Sequence, residues 1–551
     1  MPNATLAAPA GVLVEGHAPA RPKLDTGVDP RSALFFGGIL LSGLAFVVYS
    51  LYVDVTRSGM GPTTWLPFAL LGVALFIALA FEFVNGFHDT ANAVATVIYT
   101  HSMPATAAVV WSGFFNFLGV LFSTGAVAYG ITALLPVELI LQVGSSTGFA
   151  MVFALVIGAI VWNLGTWYLG LPASSSHTLI GSIIGVGLAN QLMATTGGPS
   201  GVDWAQAAKV GYSLLFSPLI GFVASALLLM ALKLVARSPK LYQEPKGAEP
   251  PPLWIRSLLI LTCTGVSFAH GSNDGQKGMG LIMLILIGVV PTAYALNRAL
   301  PDSEILPFLK TSTSVTQMLD QKAGAAEGAG ASAGARASGE PHAIVSTYLR
   351  THQFQPDVMP ALAQLSRNIT RQLEQHRSLR LLPASSVQSV RNDMYLTAEA
   401  IRRFGKDPAV KLSAAEASLL NTYRANLDGA TRFIPAWVKI AVALALGLGT
   451  MVGWKRIVVT VGEKIGKSHL TYAQGASAEL VAATTIAAAD MWGLPVSTTQ
   501  VLSSGVAGTM AVGGSGLRAS TVRNMLMAWV LTLPAAILLS GSLFLIFLKI
   551  F

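Results

Sequence analysis

Apolar stretches long enough to cross a bilayer recur along the whole chain, and this feature limits the fold more than any other. A transmembrane helix needs about 17 to 25 apolar residues, whereas the strands of a membrane barrel alternate over about 10 residues. The stretches here are rich in Ala, Leu, Gly and Val and do not alternate, which favours helices. They lie near residues 34–53, 65–84, 103–128, 147–169, 175–192, 211–235, 254–270, 279–297, 434–452, 471–489, 495–512 and 525–550.

The composition supports the same class of protein. Of the 551 residues, 53% are hydrophobic and 11% are charged, whereas soluble domains carry about 25% charged residues. The sequence therefore predicts an all-α polytopic membrane protein with about twelve transmembrane helices. The net charge of +9 suits basic loops beside a lipid bilayer. Because no basic stripe with interleaved aromatic residues occurs, no nucleic-acid partner is expected.

Charged residues concentrate in one block, residues 299–432, which holds 15 of the 35 Lys and Arg and 12 of the 26 Asp and Glu. A low-complexity stretch at 322–340 is expected to be flexible. Beyond it, apolar residues at three- and four-residue spacing predict amphipathic helices. The block, called the insert below, is predicted to be a soluble, partly disordered helical domain. At the other end of the chain, residues 1–33 are predicted to be a disordered leader and 34–64 an extra helix with its linker.

Two short motifs each occur twice in the chain. The first motif, "GFHDTANA" (86–93), corresponds to "GSNDGQKG" (271–278). The second motif, "GLPASSSHTLIGS" (170–182), corresponds more closely to "GLPVSTTQVLSSG" (493–505). Two motifs repeated in the same order indicate an internal duplication.

The spacing of the motifs agrees between the two copies. Asp89 and Ser174 are 85 residues apart, and Asp274 and Ser497 are 223 apart, or 89 once the 134 residues of the insert are removed. Duplicated halves with Gly- or Pro-interrupted apolar segments are typical of transporters in which discontinuous helices meet near the bilayer midplane. The first repeat and the start of the second are assigned to 65–298, and the remainder of the second repeat and a C-terminal helix to 433–551.

The Ser/Thr runs of the second motif are candidate anion-binding groups. In each copy, Gly and Pro break a helix, and three hydroxyl residues stand where the next helix begins. A helix N-terminus offers unpaired N–H groups and about half a positive charge, so added hydroxyls make a donor-rich cup for an oxyanion. The alternative is that the hydroxyls only cap helices. The candidate residues are Ser174, Ser175, Ser176, Ser497, Thr498 and Thr499.

The acids of the first motif, Asp89 and Asp274, are candidate ion-binding groups. An unpaired carboxylate in apolar surroundings costs several kcal/mol, and neighbouring glycines permit an unwound backbone that exposes carbonyls. Such a site could seat Na⁺, Mg²⁺ or a proton, and "NGFHDTAN" (85–92) is interpreted as the break of a discontinuous helix. Asn92 and Asn273 would supply amide groups. The alternative is a structural Asp satisfied by backbone N–H groups.

Other intramembrane polar residues are weaker candidates. Glu82 and Glu479 could couple ion movement or form hydrogen bonds between helices. His88 could titrate near physiological pH, although a lone His is more often only hydrogen-bonded. Lys277 could attract an anion or snorkel to the interface. Because His177 is matched by Gln500, no paired metal site is predicted there.

These motifs resemble those of the inorganic phosphate transporter (PiT) family, in its bacterial low-affinity Pit branch. The resemblance covers residues 65–551 and rests on "GFHDTANAVATVIYT", "WNLGTWYLGLPASSSHTLIGSIIGVG", "HGSNDGQKGMGLIML", "GWKRIVVTVGEKIGK", "TYAQGASAELVAA" and "GLPVSTTQVLSSGVAGTM". It implies inverted repeats and symport of phosphate into the cell, often as a neutral complex with Mg²⁺ or another divalent metal, coupled to protons. It also implies an inner-membrane location with the insert in the cytoplasm. No permanently bound cofactor is expected, and the sequence leaves open whether the chain forms a homodimer.

The chain departs from the broad family in three places. The first motif reads Gly86, Phe87, His88 and Asp89 where the broad family has Gly-Ala-Asn-Asp, which disfavours sodium coupling. Gln500 stands where the branch usually has His. The helix near 34–53 is additional to the core pattern.

Other functions are compatible with parts of the sequence. A sulfate permease would need the same tetrahedral geometry, although only phosphate carries an O–H that a carboxylate could accept. A sodium-coupled phosphate symporter is a second alternative. An intramembrane hydrolase is disfavoured because duplicated motifs do not supply one nucleophile and one base in distinct roles.

Overall fold

The computed structural model of the chain describes residues 22–24, 29–57, 65–89, 91–135, 145–193, 202–245, 247–327 and 340–550. Within these ranges the fold is helical and contains no β-strand beyond one isolated bridge between Gly466 and Leu517. The helices of the first half are α1 (Pro30–Arg57), α2 (Trp65–Asp89), α3 (Ala91–Tyr99), α4 (Ala105–Phe122), α5 (Ala126–Thr132), α6 (Ser146–Tyr168), α7 (Ser175–Met193) and α8 (Trp204–Val235). The later helices are α9 (Leu253–Val289), α10 (Pro291–Tyr294), α11 (Asp302–Glu327), α12 (Pro341–Thr351), α13 (Val358–His376), α14 (Ala384–Phe404), α15 (Ala414–Thr431), α16 (Ala436–Thr450), α17 (Lys455–Val459), α18 (Tyr472–Met491), α19 (Thr498–Gly513) and α20 (Ala519–Phe547).

Most predicted apolar segments correspond to a helix within a few residues, so the prediction of an all-α polytopic membrane protein is confirmed. Seven helices in the described ranges are long and apolar enough to cross a membrane, or eight if α15 and α16, which meet at a 70° bend, form one span. Local signals set the helix ends. Asp203 caps α8 by accepting a bond from the Gln206 N–H at 2.9 Å, and Thr471 and Gln474 form a capping box at the start of α18.

The prediction of two separate apolar segments on either side of the second copy of the first motif is wrong. The segments predicted at 254–270 and 279–297 belong largely to one helix, α9, whose 37 residues extend for about 55 Å. The glycines that were expected to unwind this backbone instead allow close helix packing. A Cβ at Gly271 would clash with the carbonyl oxygen of Asn116 in α4, and one at Gly275 would lie 2.5 Å from Val120 Cγ2. In the first copy, α2 ends at Asp89 and α3 begins at Ala91, and the residue between them lies outside the described part.

The two halves of the chain interlock through reciprocal helix pairs. Helix α4 of the first half packs on α9 of the second, and α16 of the second packs on α2 of the first. In both pairs a glycine packs against the backbone carbonyl of a phenylalanine that lies six residues before the motif Asp. Gly119 contacts Phe268, and Gly449 contacts Phe83. Likewise, α7 packs on α20 and α19 packs on α8. Because the same contacts recur with the halves exchanged, the packing has the reciprocity that a duplicated chain predicts; the inverted orientation of the repeats stays a prediction.

The insert is a helical bundle with its own apolar core. Helices α11 to α15 bury apolar residues that include Leu319, Leu362, Met394 and Leu427, as the three- and four-residue spacing predicts. The expectation that all of 322–340 is flexible is wrong for its first part. Residues up to Glu327 continue α11, where Lys322 pairs with Glu416 at 3.1 Å. Residues 328–339 lie outside the described residues.

The additional N-terminal helix α1 is joined to the rest of the chain near the insert. Its Asp54 accepts bonds from Tyr294 Oη at 2.8 Å and from Trp437 Nε1 at 3.0 Å. The predicted leader falls mostly outside the described residues, as do residues 58–64 of the predicted linker. Leu24 of the leader packs against the apolar cluster formed by the membrane helices, and α1 already begins at Pro30.

Candidate functional site

The two Ser/Thr runs occupy equivalent turns at the starts of α7 and α19. Each turn follows a glycine with positive φ, +67° at Gly170 and +63° at Gly493, a backbone conformation that a residue with a Cβ rarely adopts. The first hydroxyl of each run caps its own helix. Ser174 Oγ accepts a bond from the His177 N–H, and Ser497 Oγ accepts one from the Gln500 N–H, both at 3.2 Å. At these two positions the capping alternative describes the hydroxyl correctly.

Asp89 lies between the two runs and is bonded by both. Ser175 of α7 donates to its Oδ2, and Thr499 of α19 donates to its Oδ1 at 2.6 Å. The carboxylate is buried, and it reaches both halves from the C-terminal end of α2. One acid therefore joins both predicted cups.

His88 extends this network toward α6. Its Nδ1 is 2.9 Å from Asp89 Oδ1, and its Nε2 is 3.2 Å from Thr166 Oγ1. The Thr166 hydroxyl donates its own hydrogen to backbone carbonyls of α6 at 3.1 Å. Both ring nitrogens therefore have a side-chain oxygen of a neighbouring residue within hydrogen-bonding distance.

Asp274, the equivalent acid of the second half, lies beside two basic side chains of its own helix. Lys277 Nζ is 2.7 Å from Asp274 Oδ1, and His270 Nε2 is 3.6 Å from Oδ2. Lys277 also donates to Ser176 Oγ, which itself donates to the carbonyl of Val496 at 2.7 Å. Lys277 is fully buried, so the snorkelling alternative is wrong, and the ammonium group belongs to the same network as the Ser/Thr runs.

Asp89, His270 and Asp274 form a group that could hold a cation. One ligand atom from each residue lies within 4.8 Å of the others, and all three residues are buried. The Asn116 carboxamide oxygen lies 2.8 Å from His270 Nδ1. This contact places the ring hydrogen on Nδ1 and leaves a lone pair on Nε2, which has no hydrogen-bond partner in the described part. Two carboxylates and an oriented imidazole are suitable ligands for a divalent metal.

The remaining candidate residues surround this centre. Glu82 is buried on α2, about two turns before Asp89, and packs against Gly278 of α9. Glu479 accepts bonds from Thr96 of α3 and from Thr262 of α9, the latter at 2.5 Å. Glu479 therefore links α3, which carries the end of the first copy of the first motif, to α9, which carries the second copy.

The two candidate carboxamides, Asn92 and Asn273, and the one hydroxyl of the runs not yet described, Thr498, have different environments. Asn273 donates to the carbonyl of Leu494 at 3.1 Å, beside the start of the second run. Thr498 Oγ1 is buried with no partner in the described ranges. The Asn92 side chain lies outside the described residues, so its predicted role stays a prediction.

Sequence reasoning did not identify His270 as a site residue and left Lys277 undecided. Both lie on one face of α9 with Asp274, since spacings of four and three residues bring side chains together on a helix. The spacing of these three residues is visible in the sequence, but it brings their side chains together only if the helix is continuous. The sequence analysis placed two separate apolar segments there.

The fold and the site together define a class of protein. A buried polar centre lies between two interlocked halves of a membrane-spanning helical chain, with oxyanion donors and cation ligands side by side. These are features of a secondary transporter. The chain belongs to the phosphate transporter family, whose profile matches residues 85–540.

Several curated relatives resemble the chain over most of its length. The low-affinity inorganic phosphate transporters PitA and PitB of Escherichia coli K12 are 44% and 41% identical to it, over 86% and 87% of this chain and 96% and 97% of theirs. A probable low-affinity inorganic phosphate transporter of Bacillus subtilis is 28% identical over 86% of this chain and 96% of its own. Among solved structures, a sodium-dependent phosphate transporter aligns with a TM-score of 0.48 at 19% identity, covering 88% of this chain and 99% of that one.

Proposed function

We propose that this chain is a secondary active transporter that imports inorganic phosphate as a neutral complex with a divalent metal, coupled to protons. One observation carries the proposal: a three-residue cation-ligand group, Asp89, His270 and Asp274, lies beside the hydroxyl runs and the Lys277 ammonium. The family and the names of the curated relatives support phosphate as the anion.

The charges around the centre fit a neutral cargo. Asp89 lies beside His88, whose ring nitrogens both face acceptors, and Asp274 lies beside Lys277. Two carboxylates thus lie beside one ammonium group and one imidazole. A bare dianion would add two negative charges to this buried region, which is expensive in a low-dielectric interior, whereas a neutral metal–phosphate complex would add none.

The donors and acceptors assign roles within the centre. Lys277, Ser176 and the N-termini of α7 and α19 would bind phosphate oxygens. The oxygens of Asp89 and Asp274 and the Nε2 of His270 would bind the metal. Ser175 and Thr499, which now donate to Asp89, could donate to phosphate once the carboxylate contacts the metal.

Protons are the proposed coupling ion because His88, a residue type suited to proton transfer near physiological pH, lies between Asp89 and Thr166. Its Nδ1 contacts Asp89, one of the proposed metal ligands. Sodium coupling is the alternative, since carboxylates bind Na⁺ as well. Sulfate remains the alternative anion, and a carboxylate facing the anion would favour phosphate, which carries an O–H.

The test is uptake into proteoliposomes with radiolabelled phosphate and radiolabelled Ca²⁺ or Mn²⁺ counted together. The expected result is equal uptake of metal and phosphate, driven by an inward proton gradient and abolished by a protonophore. Phosphate uptake that needs no divalent metal would overturn the metal–phosphate proposal. Uptake that follows a sodium gradient at constant pH would overturn proton coupling, and equally rapid sulfate uptake would overturn phosphate selectivity.

The proposed location is the inner membrane, with the insert in the cytoplasm. The curated relatives at 34 to 44% identity are bacterial, and the insert carries 15 of the chain's 35 Lys and Arg, although the positive-inside rule is weak for such a long loop. Labelling of a single cysteine placed on the exposed face of the insert, in intact and in permeabilised cells, would test this orientation. The native Cys263 is buried and would be replaced first.

A further inference from the structure

A second polar cavity, of about 410 Å³, lies between the insert and the membrane helices. Arg350 of α12 and Arg403 of α14 line it from the insert, and Trp204 and Lys209 line it from the first turns of α8. Neither the acids of the first motif nor the Ser/Thr runs contribute to its walls. A volume of this size is in the range of about 300 to 1,000 Å³ that is usual for ligand pockets.

The cavity is positively charged. Five Lys or Arg side chains line it, against two carboxylates. One carboxylate, Glu399, is already paired, because Arg402 contacts it at 2.6 Å and Arg432 at 2.9 Å. The other, Asp203, caps α8 through the Gln206 N–H. Both acids therefore have structural partners, and the lining keeps an excess of positive charge.

Four of the basic side chains lack an ion pair within the described part of the chain. Lys209, Arg350, Arg403 and Lys406 form no ion pair with any residue that the structure describes. Arg403 Nε is in addition buried with no hydrogen-bond partner in those ranges. A buried guanidinium N–H without an acceptor is costly, and four cations around one cavity repel one another unless an anion lies between them.

We propose that this cavity binds an anion carrying phosphate groups, and that the bound anion bridges the insert and the membrane helices. Guanidinium groups bind phosphate oxygens through paired N–H bonds, and lysines add point charges. Arg350, Arg403 and Lys406 would bind from the insert and Lys209 from α8, so that occupancy would fix the position of the insert on the transporter.

Two sources could supply this chemistry. A soluble oligophosphate could enter from the aqueous side. Alternatively, the headgroup of an acidic phospholipid could enter from the bilayer, because Trp204 and Lys209 stand at the start of a membrane helix, where aromatic and basic residues meet headgroups.

The experiment measures binding to the purified full-length protein in nanodiscs at fixed ionic strength. One arm titrates tripolyphosphate into phosphatidylcholine nanodiscs by calorimetry, since tripolyphosphate is too large for a site built for a single phosphate. A second arm compares the melting temperature in phosphatidylcholine and in phosphatidylglycerol nanodiscs. In the first arm, Arg350→Glu/Lys406→Glu should raise the dissociation constant about a hundredfold, because each of the two lost charge-assisted bonds is worth about one order of magnitude. In the second arm, the same variant should remove the difference in melting temperature between the two lipids.

Lys209→Glu tests the same cavity from the membrane side and should weaken binding similarly. Arg371→Glu is the matched control, because Arg371 is an exposed arginine on α13 of the insert and does not line the cavity. Binding in the first arm identifies a soluble oligophosphate, and a lipid-dependent melting shift identifies a headgroup. The proposal is overturned if neither arm shows an effect, or if the cavity variants and Arg371→Glu behave alike.

Discussion

Asp89 and Asp274 stand at equivalent positions of a duplicated motif, yet their surroundings differ. Asp89 is bonded by Ser175 and Thr499, one from each half of the chain. Asp274 is held by a lysine on its own helix. The helices around them are otherwise equivalent, because the reciprocal pairs α4–α9 and α16–α2 use the same glycine contacts.

The duplication has kept the helix packing and changed the polar side chains within it. Close helix packing cannot vary without breaking contacts on both sides, so it is the same in each half. The polar side chains are free to specialise. In the proposed mechanism, Asp89 joins the two halves and responds to the cargo, whereas Asp274 and Lys277 form a fixed buried pair that supplies one cation ligand and one anion donor.

The largest expected effect is from Asp89→Asn, which should abolish coupled phosphate uptake. The amide keeps the shape of the side chain but removes the negative charge and one acceptor oxygen. Asp274→Asn should also abolish uptake, and in addition should destabilise the protein. Uptake of labelled phosphate into proteoliposomes measures the loss of transport. Asp54→Asn in α1 is the matched control, because Asp54 is an acid of a membrane helix that bonds to Tyr294 and Trp437 and to none of the site residues named above. Wild-type uptake in Asp89→Asn would remove this residue from the mechanism.

The next largest effect is on stability and concerns the pair in the second half. Lys277→Met should lower the free energy of unfolding by about 3 to 5 kcal/mol, because it leaves the buried Asp274 carboxylate unpaired. Asp274→Asn/Lys277→Met removes both charges and should regain much of that loss, without regaining transport. The measurement is the midpoint of thermal unfolding in detergent. Equal midpoints for the single and double variants would show that the two groups do not form a pair.

A smaller effect should come from the hydroxyls that bond Asp89. Ser175→Ala and Thr499→Val each remove a hydroxyl that would donate to the bound phosphate once Asp89 contacts the metal, a bond worth about 1.5 to 3 kcal/mol, so each should raise the KM for phosphate about 10- to 150-fold. Because both act on one carboxylate, the double variant should deviate from additivity. Ser182→Ala is the control in α7, since its buried hydroxyl has no partner in the described residues. Additive effects would contradict a shared carboxylate.

The sequence predicts the duplication and most helix positions because apolar length and motif spacing are local properties. It could not predict that α9 is continuous, because glycine permits both an unwound backbone and a close helix contact. Only the partner helix decides, and Asn116 in α4 lies 155 residues before Gly271. For the same reason His270 was missed. The cavity beside the insert was also not predictable, since Lys209 and Arg350 come together only through packing between distant helices.

The smallest effect is expected at the two N-cap serines, Ser174 and Ser497, whose capping bonds are the same in both halves of the chain. Ser174 and Ser497 cap α7 and α19 with the same bond length, so Ser174→Ala and Ser497→Ala should each cost about 1 kcal/mol of stability, the usual value of an N-cap. The two losses should be equal and additive, because the caps share no partner, and the KM for phosphate should change far less than in Ser175→Ala. Thermal unfolding of both singles and the double, with uptake kinetics on the same preparations, provides the measurement. A large increase in KM for only one of the two single variants would mean that the serine replaced in it contacts the anion. The two halves would then differ even at their equivalent helix caps.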